Sequence, residues 1–462
     1  MNSGALDALL QALGPEVVTP SHALGERALA DWSRVPAGAP AGLLRPRSTR
    51  DVSRALSICI AHGQPVAVQG GLTGLAGSAC VRDGEMALSL ERMRAVVEVD
   101  PVSATLTVEA GAILQTIQDT AAEAGYYFPL DLGARGSCTI GGLLGTNAGG
   151  NRVIKYGMMR EHVLGLEAVL ADGRVVGGLH KMLKNNTGYD LKNLLIGSEG
   201  TLGVITQAVL RLRPRPTAVS TAWCGLADFG AVTTLLRRAQ AELAGGVSAF
   251  EVMWPSYYDF VLTNLPHLRR PLAGAHGFHV LLETDGADPE AQSAQFQAFL
   301  GRMLEAGIVE DAAIAMSERD VGAFWAIRDA PGEFLKLLPD MIAFDISFAV
   351  RDVAEAADRL SQAMAARYRG SLALIYGHLG DGNIHLLADV PGATETIRTD
   401  VETLVYDVVS DLHGSVSAEH GIGIKKRGVL GRTRTAEELA AMAAIKSALD
   451  PHNVLNPGRI LG

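Results

Sequence analysis

The sequence predicts an α+β fold in which two parts of one ligand-binding body flank an inserted α+β domain. Three observations carry this expectation. The chain has 462 residues, too many for one ordinary hydrophobic core, so two or three domains are expected. Its 52 glycines are concentrated between Gly70 and Gly203 and again between Gly377 and Gly423, as two sets of ligand-facing turns would be. From about Thr217 to Gly370, strand-like apolar runs (278–282, 342–350) alternate with amphipathic helices such as 352–368, the signature of an α+β domain.

The opening residues 1–14 place Leu6, Leu9, Leu10 and Leu13 at helical spacing with Asp7 and no basic residue. An amphipathic helix is predicted there, not a signal or transit peptide. With 40 basic against 50 acidic residues the net charge is −10, which argues against a non-specific grip on nucleic acid or an anionic membrane. Any anionic ligand must therefore be held by local groups. No charge-free stretch is long enough to span a bilayer. Cys59, Cys80, Cys138 and Cys224 are too scattered for an iron–sulfur or CxxC zinc cradle or for a disulfide framework, which points to a reducing cytoplasm.

The first glycine-rich stretch, residues 65–78, runs from a short apolar strand into Gln69-Gly70-Gly71-Leu72-Thr73-Gly74-Leu75-Ala76-Gly77-Ser78. Glycines in such a turn let backbone N–H groups converge on an anion such as a pyrophosphate. It is not a dinucleotide-binding Rossmann fingerprint, because residues 79–90 hold a turn at Asp83-Gly84 and a strand-like 86–90 where that motif needs a helix. Two more stretches follow. One spans 139–151, with Gly141, Gly142, Gly145, Asn147, Gly149, Gly150 and Asn151, and leads to Lys155-Tyr156-Gly157. The other is Ile196-Gly197-Ser198-Glu199-Gly200-Thr201-Leu202-Gly203-Val204-Ile205-Thr206.

The Pro-containing residues 213–217 mark the first expected boundary. Thr435 followed by Glu438 forms a capping box for a helix reaching Leu449, which Asp450 and Pro451 then stop.

A second cluster carries the chemistry. In Tyr376-Gly377-His378-Leu379-Gly380-Asp381-Gly382-Asn383-Ile384-His385, Asp-Gly is a favoured two-residue hairpin turn. That turn would set His378 directly opposite His385, with Cβ atoms about 4.5–5.5 Å apart, where two imidazoles can bind one metal. Downstream, Ser417-Ala418-Glu419-His420-Gly421-Ile422-Gly423 places Glu419 and His420 side by side. They can reach one site only where a strand ends, and Gly421 and Gly423 permit that ending. Two imidazoles and a carboxylate leave a divalent ion with open positions.

The three glycine stretches, together with Pro129-Leu130-Asp131, resemble the FAD domain of the vanillyl-alcohol-oxidase and p-cresol-methylhydroxylase superfamily. The GHxGDGNxH and SAEHGxG motifs are similar to those of its D-lactate, glycolate and D-2-hydroxyglutarate dehydrogenase branch. The likeness runs from about Gly42 to the C-terminus. It implies an N-terminal helical segment (1–40), an FAD-binding domain (41–215), an α+β substrate domain (216–415) and a C-terminal segment (416–462) that returns to complete the FAD domain.

By this resemblance Gln69, Gly70, Gly71, Leu72, Thr73, Gly74, Leu75 and Ser78 wrap the FAD pyrophosphate. Pro129, Asp131, Gly133, Ser137, Thr139, Gly142, Asn147, Gly149, Gly150, Asn151, Gly200 and Ile205 line the rest of the cofactor, and Asn456 of the Asn453–Arg459 signature reaches the flavin. The family usually has Arg at Gln69 and a small residue at Leu72. No residue compels covalent attachment, which implies non-covalent FAD. The resemblance further implies that His378, His385 and Glu419 ligate a divalent metal, zinc first, with manganese or iron also fitting. His420 would be the base, and His378, His420 and Arg328 would contact substrate, the arginine through the carboxylate.

The implied activity is oxidation of a small D-2-hydroxy acid to the 2-oxo acid by hydride transfer to flavin N5. Relatives that take dicarboxylates tend to carry Asn where Leu387 stands and Lys where Ala343 stands, so a D-lactate-like substrate is expected ahead of D-2-hydroxyglutarate. A metal-dependent hydrolase and a non-catalytic flavoprotein subunit stay open as other classes. Electrons would pass on to a quinone, an electron-transfer flavoprotein or a similar acceptor, and a homo-oligomer is compatible with the sequence.

Overall fold

The leucine spacing at the start builds helix Ser3–Leu13, and Leu9 and Leu13 enter a core shared with Leu44, Val66, Leu88, Leu106, Ile140 and Val204. The structure, a computed structural model, describes residues 3–25, 29–243 and 245–461. These residues form two units: one runs to Gly150, resumes over Gly157–Arg215 and takes the chain from Glu419 onward, and the other comprises Asn151–Tyr156 and Pro216–Ala418. Met1 and Asn2 of the predicted helix lie outside the described residues.

Among the described residues the first unit holds two larger sheets and a short antiparallel pair of Tyr126–Tyr127 with Arg213–Pro214. In one, Gly42–Leu44 and Val66–Gln69 lie parallel to Met86–Ser89, and Val18–Pro20 pairs antiparallel at the edge. The connection between the parallel strands needs a crossover. Helix Thr49–Ala61 supplies it, its N-terminus capped by Ser48, whose hydroxyl accepts from the Asp51 N–H at 3.2 Å. The other sheet is antiparallel, in the order Val96–Asp100, Thr105–Glu109, Val204–Arg211, Val163–Val169, Val175–Gly178. The C-terminal helix Ala436–Leu449 starts on the expected capping box of Thr435 and Glu438.

The second unit is one seven-stranded antiparallel sheet in the order Asp311–Ile314, Ala218–Leu226, Phe278–Gly286, Val247–Met253, Leu372–His378, Asn383–Asp389, Ile342–Ser347. Alternation along the strands puts Trp223, Leu281, Met253, Leu374, Tyr376 and Leu387 on one face. There they pack with Tyr257, Tyr258, Phe324, Ile327 and Phe334 from helices Pro255–Asn264, Glu318–Arg328 and Phe334–Leu337. Asn151–Tyr156 belongs to this unit through Arg152, paired with Glu283, and through Lys155 and Tyr156, both bonded to the Asp285 carboxylate. Gly150 (φ 138°) and Gly157 (φ 79°) bracket that segment. No helix among the described residues is long and apolar enough to cross a membrane, and all four cysteines are buried free thiols.

Candidate active site

In the first unit the glycine stretches lie against one another. Strand Val66–Gln69 delivers the chain into the loop, where a Cβ on Gly70 would stand 2.7 Å from the Thr139 hydroxyl and one on Gly71 would collide with the Ser137 carbonyl. Glycine is required for this approach. Gln69 is buried, and its amide nitrogen donates to the carbonyls of Ala79 at 2.9 Å and Leu29 at 3.4 Å, so its side chain closes the loop from behind. Among the described residues no backbone N–H from Gly71 to Ala76 has a hydrogen-bond partner. A half-buried row of unpaired donors suits the pyrophosphate of FAD. Leu72 sits in the left-handed region at φ 56°, which costs a branched residue about 1–2 kcal/mol.

Thr139 caps the short helix Ile140–Thr146, and Asn147 ends it in a left-handed conformation while its side-chain oxygen accepts from the Arg160 N–H at 2.9 Å. Gly150 approaches the Asp131 carbonyl too closely for any side chain. Ser137 and Gly133 are exposed, and Ile205 is buried in the strand that follows the third stretch.

Glu199 ties these pieces together. Its carboxylate accepts from the Ser78 hydroxyl, from the Ile422 N–H at 2.7 Å and from the Gly423 N–H at 2.8 Å. Its own N–H donates to Gly145 and its carbonyl accepts from the Asn456 amide at 2.6 Å. Burial pushes the Glu199 carboxyl up, against those donors and Lys426, which pull it down. The Asn456 side-chain oxygen accepts from the Val68 N–H at 2.8 Å, so both ends of this amide are engaged by the protein. Glu419 and His420 are half-buried and lie outside any regular strand, and Gly421 (φ 78°) and Gly423 (φ 53°) turn the chain. The Glu199 carboxylate thereby holds the backbone two and three residues beyond His420.

The second unit carries His378, His385 and Arg328. The predicted two-residue turn is corrected: His378 pairs with Asn383 and Tyr376 with His385, because Leu379–Asp381 forms a helical turn that Gly382 (φ 77°) closes. A register shift of one residue would have reversed the faces; a shift of two preserves them. His378 and His385 are therefore diagonal neighbours on one face, with ring centroids 5.4 Å apart.

Glu251 stands on that face opposite His378. Its carboxylate accepts from His378 Nδ1 at 2.8 Å and from Arg328 Nε at 2.8 Å. Arg328 Nη2 lies 2.9 Å from His378 Nε2. A guanidinium only donates, so Nε2 presents its lone pair and the proton sits on Nδ1. That is the tautomer a metal ligand needs. Burial raises the Glu251 carboxyl, and His378 and Arg328 more than reverse it, leaving it below the usual carboxylate value. One lone pair cannot serve both a guanidinium and a metal, so Arg328 and an ion are alternative partners of Nε2.

Arg328 ends its helix, where the Tyr257 hydroxyl bonds the carbonyls of Ile327 and Arg328, each at 2.9 Å. Its guanidinium lies 5.2 Å from the Tyr376 ring centre. Removing one member of a buried ion pair strands the other at roughly 3–5 kcal/mol. Sequence reasoning missed Glu251 and Asn383, and it set the stretch from Glu199 to Ile205 at the cofactor without foreseeing that the Glu199 carboxylate holds Ile422 and Gly423. A lone Glu within the otherwise uncharged Val247–Met253 was the available signal for the first, since a buried carboxylate needs a cation.

Comparison with known proteins gives a consistent likeness. Residues 40–177 match the family model described as an FAD binding domain, and residues 215–460 match FAD linked oxidases, C-terminal domain. Mitochondrial D-2-hydroxyglutarate dehydrogenases are similar at 37% identity in Arabidopsis thaliana, covering 98% of this chain and 80% of the relative, and at 38% in Bos taurus, covering 99% and 83%. A D-2-hydroxyglutarate dehydrogenase of Xanthomonas citri is 36% identical over 93% of this chain and 91% of its own. Among solved structures, p-cresol methylhydroxylase superposes with a TM-score of 0.78 at 16% identity, covering 99% of this chain and 96% of that one. Alkyldihydroxyacetonephosphate synthase gives 0.75 at 17% identity, covering 98% and 85%. The two structural likenesses speak to the fold alone.

Proposed function

Because the chain belongs to the FAD-linked oxidase family, in its D-2-hydroxy acid dehydrogenase branch, we propose that it oxidises a small, D-lactate-like D-2-hydroxy acid to the 2-oxo acid. The observation that carries the reading is the buried Glu251–His378–Arg328 group. It sets a cation able to grip a carboxylate beside an imidazole held in a defined tautomer.

Arg328, whose Nη1 reaches the partly exposed Asp329 carboxylate at 3.3 Å and whose Nη2 lies against His378, would exchange these contacts for the substrate carboxylate, to which it offers a fork of donors. His420 takes the C2 hydroxyl proton, and the Glu199-held turn behind it restricts where its ring can point. FAD, when bound, supplies the two-electron acceptor for the C2 hydride. We extend the proposal to a divalent ion, zinc first, held by His378, His385 and Glu419, whose charge would lower the pKa of the substrate hydroxyl. The His378 tautomer and the neighbouring His385 ring support it. An external quinone or electron-transfer flavoprotein would then accept the electrons, as the chain has no iron–sulfur spacing.

The substrate tail is read from one row of the sheet. Leu387 pairs with Ala343 on one side and Leu374 on the other, adjacent to His385 on the same face. A second carboxylate against this apolar row would lack a cation, at a cost of several kcal/mol. The names of the relatives favour D-2-hydroxyglutarate as a second reading. Anaerobic mixing of the purified flavoprotein with D- and L-2-hydroxy acids tests both, read as loss of flavin absorbance. D-lactate and short aliphatic homologues are expected to reduce the flavin faster than D-2-hydroxyglutarate, and the reverse order would hand the site to the dicarboxylate. Dialysis against a chelator is expected to slow the reduction; an unchanged rate would remove the metal.

A further inference from the structure

Asn383 is 3% exposed, and neither the oxygen nor the nitrogen of its carboxamide has a hydrogen-bond partner among the described residues. Its backbone is fixed. Strand pairing sets it between His378 and Ser347, and its N–H donates to the Asp381 carboxylate at 3.1 Å. Pairing and alternation aim its side chain to the face that carries Glu251, His378 and His385. A buried amide with no partner destabilises a fold, so such a group is kept where a ligand satisfies it.

We propose that Asn383 is a substrate-binding residue, whose amide N–H donates to the carboxylate of the bound 2-hydroxy acid beside Arg328. Both groups flank one imidazole: Asn383 lies directly opposite His378, and Arg328 Nη2 is 2.9 Å from His378 Nε2. A carboxylate has lone pairs enough for a charged donor and a neutral one together. The assignment rests on the reading that this face takes a 2-hydroxy acid.

The FAD-loaded full chain tests it with oxalate, whose paired oxygens reproduce the carboxylate and C2 oxygen without turnover. Asn383→Leu keeps the shape and removes the donors, and Asn383→Asp places a negative charge where the carboxylate binds. Expected results are unchanged flavin content, a melting temperature for Asn383→Leu no lower than the parent, and weaker oxalate binding by about tenfold or more. KM for the hydroxy acid should rise more than kcat falls, and Asn383→Asp should be worse than Asn383→Leu. Oxalate affinity unchanged in Asn383→Leu would make the residue structural. Flavin loss with oxalate affinity per flavin unchanged would turn the amide toward the cofactor, and a parent that binds no oxalate would overturn the assignment. Should Asn383→Leu not fold, the oxalate titration of Asn383→Asp decides. If oxalate binding depends on Asn383 while no hydroxy acid reduces the flavin, the oxidation reading fails and the anion-binding residue stands.

Discussion

Glu199, held in the left-handed region at φ 50°, spends its carboxylate on the turn that follows His420. The backbone just beyond the imidazole is thereby fixed. Replacing His420 with Ala leaves that support intact, so the variant is expected to retain flavin while its anaerobic reduction slows by roughly 10²–10⁴-fold, the usual worth of a positioned base. Near-normal reduction in stopped flow would move the proton acceptor elsewhere. The histidines and Glu419 were legible in the sequence because they stand within short motifs. Glu251 was not, because its partners Arg328 and His378 are 77 and 127 residues away and only the sheet brings them together. Gln69 and Asn456 show the other limit: resemblance set them at the cofactor, but the direction of an amide depends on tertiary neighbours, and both donate to backbone carbonyls.

Between residues and whole molecule, the decisive element is the pair of strands Leu372–His378 and Asn383–Asp389. Apolar alternation and the Asp-Gly signal predicted both strands correctly. The loop length escaped, since a two-residue turn and a helical turn closed by Gly382 share the same letters. The error of two residues spared the face and changed only who stands opposite whom. This register pairs Ala343 with Leu387, which yields an element-scale prediction. Ala343→Lys with Leu387→Asn adds a cation at an exposed position and an amide across from it, and should lower KM for D-2-hydroxyglutarate about tenfold, worth about 1.4 kcal/mol, while raising that for D-lactate. No change in the ratio of the two would separate this row from the substrate tail.

At the scale of the molecule, each unit buries a histidine in its neutral form. Burial, with Arg213 adding to it, pushes His162 down to about 4 in the first unit, and burial with His276 pushes His279 down to about 3 in the second. A depressed histidine contributes fully above its unfolded value of about 6.5, and its contribution is lost as pH falls toward the folded one. For His162 the window from 6.5 to about 4 is worth roughly 3 kcal/mol. Melting temperature should therefore fall steadily from pH 7 to pH 4.5, less steeply in His162→Leu; a flat profile above pH 5 would contradict it. Fold class was readable from glycine clustering and periodicity, but the attachment of Asn151–Tyr156 to the second unit was not, since it rests on ion pairs with Glu283 and Asp285 far along the chain. The Glu199 clasp also carries a consequence in time. Its partners at Ile422 and Gly423 are synthesised 223 and 224 residues after it, and a ribosome adding ~5–20 residues per second needs on the order of 10–45 s to reach them. The turn after His420 is therefore clasped only once Pro216–Ala418 of the second unit has left the ribosome's active site, whereas the Ser78–Glu199 bond, both of whose partners are made earlier, is free to form first.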